Sequence, residues 1–295
     1  MRVFVTGAAG FIGSVLVPEL LSAGHSVLGL ARNDANAKKL TEAGVEVLRG
    51  DLTDLASLRA GAEKSDAVVH LAFIHDFSKF AENCAIDKAA IEAIGEVLAG
   101  TEKPLLTTGG LALMADGRSA TEDDQPSPRL PRESEAATDA LAQRGIRAST
   151  MRLPQVHDPV KQGLITYVVQ IAREKGVSAY VGEGLNRWPA AHVLDVAHLY
   201  RLALEKMEQD KGETGRKYHA VAEEGVTMRE IAEVLGEGLK VPVVSISPEE
   251  AQAHFGWMAM FAGLDMPATS ELTRQRLGWN PTGPGMIADL KAMKY

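Results

Sequence analysis

One cysteine, Cys84, stands in 295 residues. It can close no disulfide within the chain and build no thiolate metal cluster, which fits a reducing compartment, and it reads as a small buried hydrophobe. Basic blocks are missing as well. With a net charge of −8, the chain lacks the electrostatic footprint that nucleic-acid binding needs, so no nucleic-acid partner is expected. No apolar run approaches the roughly 20 residues of a bilayer span, and residues 3–5 are too few for a secretory apolar region. The expectation is a cytoplasmic chain with no membrane partner. No internal repeat is visible, and the spacings of His, Asp and Glu show no metal site.

What is present begins at once. Residues 2–6 form a short apolar strand that runs without a linker into Thr6-Gly7-Ala8-Ala9-Gly10-Phe11-Ile12-Gly13. A strand that turns directly into a helix needs positive φ and a backbone that a pyrophosphate can approach. Gly7 supplies the turn, Gly10 clears the phosphate position, and Gly13 lets a helix over residues 11–22 lie on the sheet with its N-terminus toward the anion. The rest of the chain, 45% hydrophobic and 24% charged, is enough for a large core and more than one lobe.

Further strands are expected at 25–31, 45–48, 67–72, 104–108 and 147–153, with helices between them, including 83–98 and 133–143. This alternation is the pattern of right-handed βαβ crossovers, so the fold class is α/β, a Rossmann-type doubly wound parallel sheet. After Leu153 the rhythm breaks at Pro154, Pro159, Gly163, Gly176, Gly182, Gly184 and Pro189. The expected division is a nucleotide-binding domain at 1–157 with a return segment near 190–222, and a smaller C-terminal substrate lobe from 158–189 and 223–295. A long helix is expected at 195–207, an apolar stretch at 218–221 and a strand at 241–246. A helix capped by Ser247, with Pro248 at its first position, follows.

These residues resemble the extended short-chain dehydrogenases/reductases, the NAD-dependent epimerase/dehydratase family. The resemblance rests on the glycine loop, on Gly50-Asp51-Leu52, on His70-Leu71-Ala72, on Arg152-Leu153-Pro154, on His192-Val193-Leu194-Asp195-Val196-Ala197 and on Leu277-Gly278-Trp279-Asn280-Pro281. It implies that Asp51 bonds the adenine amine, that Leu52 packs on its ring, and that Leu71, Ala72, Phe73, Thr107, Leu153, Pro154 and Gln155 line the cofactor path together with Phe11 and Ile12. Capping competes at this turn, for Asp54 more than for Asp51. It also implies a homodimer through the helices at 83–98 and 133–143, where Ala85, Ala89, Ala93, Ala136, Ala137 and Ala140 would permit close packing.

Where NAD enzymes carry an acid at the end of the second strand, this chain has Ala31 followed by Arg32, with Lys38 and Lys39 nearby. A guanidinium there suits a 2′-phosphate, so the expected cofactor is NADP(H). The family's catalytic pair is absent. A tyrosine and a lysine four residues later should follow the fifth strand, but the five tyrosines are 167, 180, 200, 218 and 295, and no lysine lies between Lys103 and Lys161. Arg132 falls near the tyrosine position and can polarise an oxygen but not donate a proton. The usual serine or threonine maps closest to Gly109, with Thr108 the nearest hydroxyl.

Three readings follow. The first is an oxidoreductase acting on a carbonyl or alcohol of a small molecule, protonating through Thr108, His75, His157 or Tyr167. In the second, an epimerase, dehydratase or lyase uses the cofactor transiently, with Glu133 or Glu135 as base. The third is an NADP-binding sensor. A substrate site is expected from Gly109, His157, Arg187 and Trp188, because Glu183-Gly184-Leu185-Asn186-Arg187-Trp188-Pro189 is dense in binding groups and the family's matching arginine holds substrate phosphates. An interlobe salt bridge competes for Arg187, and packing competes for Trp188. His70 and His192 read as core histidines.

Overall fold

The structure is a computed structural model and describes residues 1–112, 114, 115, 117–127 and 130–295. Its centre is a parallel sheet of strands β1 (Arg2–Thr6), β2 (Ser26–Ala31), β3 (Glu46–Arg49), β4 (Ala67–His70), β5 (Leu105–Gly110), β6 (Ala148–Leu153) and, far along the chain, β10 (Lys217–His219). The order is β10-β6-β5-β4-β1-β2-β3. The winding reverses between β1 and β4, and the crevice outside their carboxyl ends is where doubly wound sheets take ligands. Helices cover both faces, which is why the central strands are apolar on both sides. On one face α1 (Gly13–Ser22) packs on α7 (Val193–Gln209). On the other lie α3 (Leu55–Glu63), α4 (Phe80–Leu98) and α5 (Ser134–Gln143). The remaining helix of this half, α2 (Asp34–Glu42), follows β2.

A second core lies apart from the sheet. It gathers Ile165, Val168 and Val169 of α6 (Ile165–Lys175), Ile231 and Leu235 of α8 (Met228–Leu239), Trp188, Phe255, Phe261 and Leu290. Two small sheets flank it, β11-β9-β7 (Glu223–Thr227, Arg187–His192, Gln155–His157) and β12-β8 (Val243–Ile246, Ser178–Val181). These short strands follow the break in rhythm after Leu153, and sequence periodicity does not reveal β7, β8, β9 or β11.

Several boundaries differ from expectation for visible reasons. β4 stops at His70, so Leu71 and Ala72 leave the sheet and enter the crevice. β5 runs on to Gly110 because Gly109 and Gly110 pair with Arg152 and Leu153. α7 begins at Val193, since His192 Nδ1 accepts the Leu194 N–H as its cap. Ser247 does cap a turn, its hydroxyl accepting from Glu250 N, but regular helix opens only at Ala251. Of the alanines proposed for close packing between subunits, Ala93 and Ala137 are buried within the chain, while Ala85, Ala136 and Ala140 are exposed. Cys84 is buried, and burial pushes its thiol up to about 11. Among the described residues no helix is long and apolar enough to cross a membrane.

Candidate active site

A cleft of about 810 Å³ opens at the carboxyl edge of the sheet. Its floor at one end is the glycine loop. Gly7 sits at φ +70°, and a Cβ there would lie 2.9 Å from Ala72 N; a Cβ on Gly13 would lie 2.2 Å from the Gly7 carbonyl oxygen. Only glycine allows strand, loop and helix to close this tightly. The cradle fits the diphosphate of a dinucleotide: backbone amides at a helix N-terminus, with no side chain between them and the ligand. Thr6 holds it from beneath, its hydroxyl accepting from Ala72 N at 3.2 Å.

At the far end of this floor Arg32 and Asn36 face the cleft, and the Arg32 guanidinium makes no hydrogen bond or ion pair among the described residues, its charge acting on Asp51. Asp51 also lines it. Its Oδ1 accepts from Thr53 Oγ1, Thr53 N and Asp54 N, and these bonds, the threonine hydroxyl first, hold its carboxyl below the usual range. Asp54 caps α3 through Ser57 N, so both acids make turns and Asp51 keeps Oδ2 for a ligand. Gly10, Phe11, Ile12, Leu52, Leu71, Ala72, Phe73, Gly109, Leu153, Pro154 and Gln155 line the same cleft.

The other end is organised around Arg132. Its Nε donates to Ser134 Oγ at 2.9 Å, its Nη2 donates to the Thr108 carbonyl at 3.1 Å, and its plane stacks on Phe73 at 4.4 Å. Ser134 in turn donates to Asp87 Oδ2. Asp87 is buried, which works against its charge, but the His70 bond at 3.2 Å, the charges of His70 and Arg132 and the Ser134 hydroxyl outweigh this and hold its carboxyl low. His70 continues to Thr6 Oγ1 at 3.0 Å. A buried chain Arg132-Ser134-Asp87-His70-Thr6 therefore connects the cation to the residue beneath the glycine loop. Nη1 makes no bond among the described residues.

His75 lies at the exposed mouth. Desolvation, then the charges of Arg132 and Lys161, hold its imidazole below the ordinary value. Tyr167, on α6, reaches the cleft from the second core, and its hydroxyl has no partner among the described residues. Lys161 places its ammonium 5.3 Å from the Phe11 ring, over the glycine loop.

Five expected site residues lie elsewhere. Thr108 Oγ1 donates to the His70 carbonyl at 2.7 Å and accepts from Tyr200 at 2.8 Å, under α7 and away from the cleft. Alternation along β5 sends Thr107 to the opposite face, bonded to Thr138 at 2.7 Å. His157 is buried, with Nδ1 on Asp289 at 2.7 Å. Arg187 is clamped by both oxygens of Asp265, at 3.1 and 2.8 Å. Trp188 is fully buried and donates its indole N–H to the Leu264 carbonyl. The two candidate bases are also engaged: Glu133 pairs with Lys88 at 2.6 Å, and Glu135, at the cleft wall, accepts from Nε and Nη2 of Arg152.

The loop of residues 75–77 lines the cleft through His75 and Phe77, as its place after the fourth strand implies, whereas sequence reasoning missed Ser134, Asp87, Lys161 and the phenyl ring of Phe80. Ser134 carried a readable signal, sitting two residues after Arg132 at the start of a helix. The others are joined only by the fold.

The sequence model of the NAD dependent epimerase/dehydratase family matches residues 3–93. An uncharacterized protein of Schizosaccharomyces pombe is 49% identical over 100% of both chains. The 4-hydroxy-2-methyl-3-oxo-4-farnesyl-3,4-dihydroquinoline-1-oxide ketoreductase of Stigmatella aurantiaca is 26% identical over 91% of this chain and 84% of its own. Among solved structures, a dTDP-glucose 4,6-dehydratase from Streptomyces venezuelae superposes with a TM-score of 0.76 at 20% identity, covering 99% of this chain and 96% of that one.

Proposed function

Because the chain belongs to the NAD dependent epimerase/dehydratase family of extended short-chain dehydrogenases/reductases, we propose that it is an NADP(H)-dependent oxidoreductase that reduces a carbonyl, or oxidises the matching alcohol, of a small molecule. Residues 1–157 with 190–222 hold the nucleotide, and 158–189 with 223–295 hold the substrate. The observation that carries this reading is Arg132. A guanidinium fixed by Ser134, Thr108 and Phe73, with one nitrogen free, is preorganised to receive an oxygen on which negative charge develops.

Gly7, Gly10 and Gly13 would hold the cofactor's diphosphate, Lys161 would add charge over it, Asp51 would meet the adenine, and Arg32 with Asn36 would receive the 2′-phosphate. When bound, the cofactor supplies the hydride. Arg132 would hold the carbonyl oxygen as the π pair moves onto it and hydride reaches the carbon. Arg132 cannot give the proton. His75 is the weaker donor, since desolvation and the Arg132 and Lys161 charges disfavour its imidazolium form. The phenol of Tyr167 is left as donor, with solvent restoring it through the open mouth. The ketoreductase relative agrees with this direction, and the engagement of Glu133 and Glu135 removes the support for base-driven epimerase chemistry.

The test is transfer of deuterium from NADPH labelled at the transferable position to a panel of aldehydes and ketones, read by mass spectrometry. Labelled alcohol is expected. No label in any product, from protein shown in the same samples to bind NADPH, would overturn the proposal.

A further inference from the structure

The chain has seven phenylalanines, five tyrosines and three tryptophans, and six of these rings meet at the substrate end of one cleft. Phe73, Phe77, Phe80, Tyr167 and Phe261 line it, and Trp257 backs Phe77. Phe77 is the hub. It stacks on Trp257 with centroids 4.4 Å apart and planes 5° from parallel, and it meets Tyr167 edge-on at 5.9 Å, Phe261 at 6.4 Å and Phe80 at 5.5 Å. The rings come from the loop after β4, from the start of α4, from α6 and from residues 256–262.

Phe261 belongs to the second core, but the other five rings are not core filling. Phe4, Tyr200, Trp188 and Trp279 are at most 2% exposed. By contrast Phe73, Phe77, Phe80 and Tyr167 are only half-buried, and Trp257 is 36% exposed. Aromatic faces left uncovered beside a fixed cation leave apolar area for a ligand to cover. Among the described residues the cations lining this cleft besides Arg132 are Arg32, at the cofactor end, and Lys161, over the Phe11 ring. Arg187 is committed to Asp265 and does not line the cleft.

We propose that the substrate is a compact aryl carbonyl compound, an aromatic aldehyde or ketone, whose flat body lies against the Phe77 wall while its oxygen meets Arg132. The proposal rests on the reductase reading for its chemistry, while the pocket itself can be tested without turnover.

The first experiment titrates acetophenone and cyclohexyl methyl ketone into the protein saturated with NADP⁺, where no reduction can occur, and follows tryptophan fluorescence. Trp188 and Trp279 are buried, so the responsive signal is Trp257, and Trp257→Phe identifies it by removing the response. Saturable quenching by acetophenone at about tenfold lower concentration than by its cyclohexyl counterpart is expected. The second experiment measures steady-state reduction of both ketones with NADPH in the wild type and in Trp257→Leu and Phe77→Leu. Both variants should raise KM for the aryl ketone about tenfold and change kcat less than about threefold. Aryl binding without turnover of any carbonyl would support the pocket and sink the reductase reading. Turnover of both ketones with equal KM, or tight binding of UDP-glucose, would overturn the aryl proposal and leave the reductase reading standing.

Discussion

The two ends of the cleft are built by different rules. The cofactor end is made of backbone: three glycines within seven residues, one helix N-terminus and one Asx turn at Asp51. The substrate end is made of side chains from distant segments, held by Asp87 on α4, Ser134 on α5 and rings reaching from Phe73 to Phe261. A backbone cradle tolerates almost no change in its own residues and does not depend on what chemistry follows. A side-chain constellation can be rebuilt while the cradle stays, and here its centre is an arginine anchored by Ser134, Thr108 and Phe73. Substitutions at the two ends should therefore fail in different ways.

The largest effect is expected at the cradle. In Gly13→Ala the added methyl group must occupy space 2.2 Å from the Gly7 carbonyl, which is backbone and cannot swing aside. A destabilisation of about 3 kcal/mol or more and loss of measurable NADPH binding should follow. Thermal denaturation with and without NADPH checks both. A variant that melts like wild type and still gains stability from NADPH would show that the loop has slack the geometry denies.

This contrast also explains what the sequence could disclose. The glycine loop, Asp51 and the parallel sheet are legible because spacing along a few residues fixes them. Thr107 and Thr108 are misread because a loop-end hydroxyl looks available until the β5 register sends one to Thr138 and the other under Tyr200. Arg187 looks like a phosphate ligand until Asp265, 78 residues away, is folded against it. The Arg132-Ser134-Asp87-His70 chain draws on positions from 70 to 134 and has no local pattern at all, since each member is an ordinary residue until its neighbour arrives.

Arg132→Ala breaks the substrate end alone. Removal of one preorganised donor to a developing oxyanion should lower kcat/KM on the order of 10³-fold, with NADPH affinity unchanged in a fluorescence titration. Arg132→Lys should recover little of it, because an ammonium has no plane to stack on Phe73 and no fork to span Ser134 and Thr108. Equal losses in NADPH binding and in turnover would move Arg132 to the cofactor side of the comparison.

Acid should separate the two ends without mutation. Burial, and then the neighbouring Arg152 charge, lower His219 to about 4, and its Nε2 accepts from Arg152 Nη1 at 3.0 Å while Nδ1 donates to the Thr269 carbonyl. Arg152 grips Glu135 at the cleft wall and the carbonyls of Glu122 and Asp124. An unfolded histidine takes a proton near pH 6.5, whereas the folded one refuses it until about pH 4. Stability from this site is therefore complete above pH 6.5 and is lost as pH falls toward 4, by roughly 3 kcal/mol. Hydrogen-exchange protection, taken relative to the intrinsic rate at each pH between 7 and 5, should fall at residues 118–124 before it falls in the glycine loop. Uniform loosening of both would show that this network braces the whole sheet instead of one end of the cleft.

The smallest effect tests whether the cradle end also contains a side-chain decision. Arg32 stands where an acid would accept from a ribose hydroxyl, exposed and without a hydrogen bond or ion pair among the described residues, beside Asn36. A guanidinium on a 2′-phosphate is a charge-assisted contact, so Arg32→Ala should weaken NADPH binding about 10- to 100-fold and leave NADH binding nearly unchanged. The loss should shrink as salt is added, because the contact is open to solvent and screened there. Parallel titrations with NADPH and NADH at two salt concentrations measure both signs. A variant that keeps its preference for NADPH would place the 2′-phosphate elsewhere and make cofactor choice, too, a property of distant side chains.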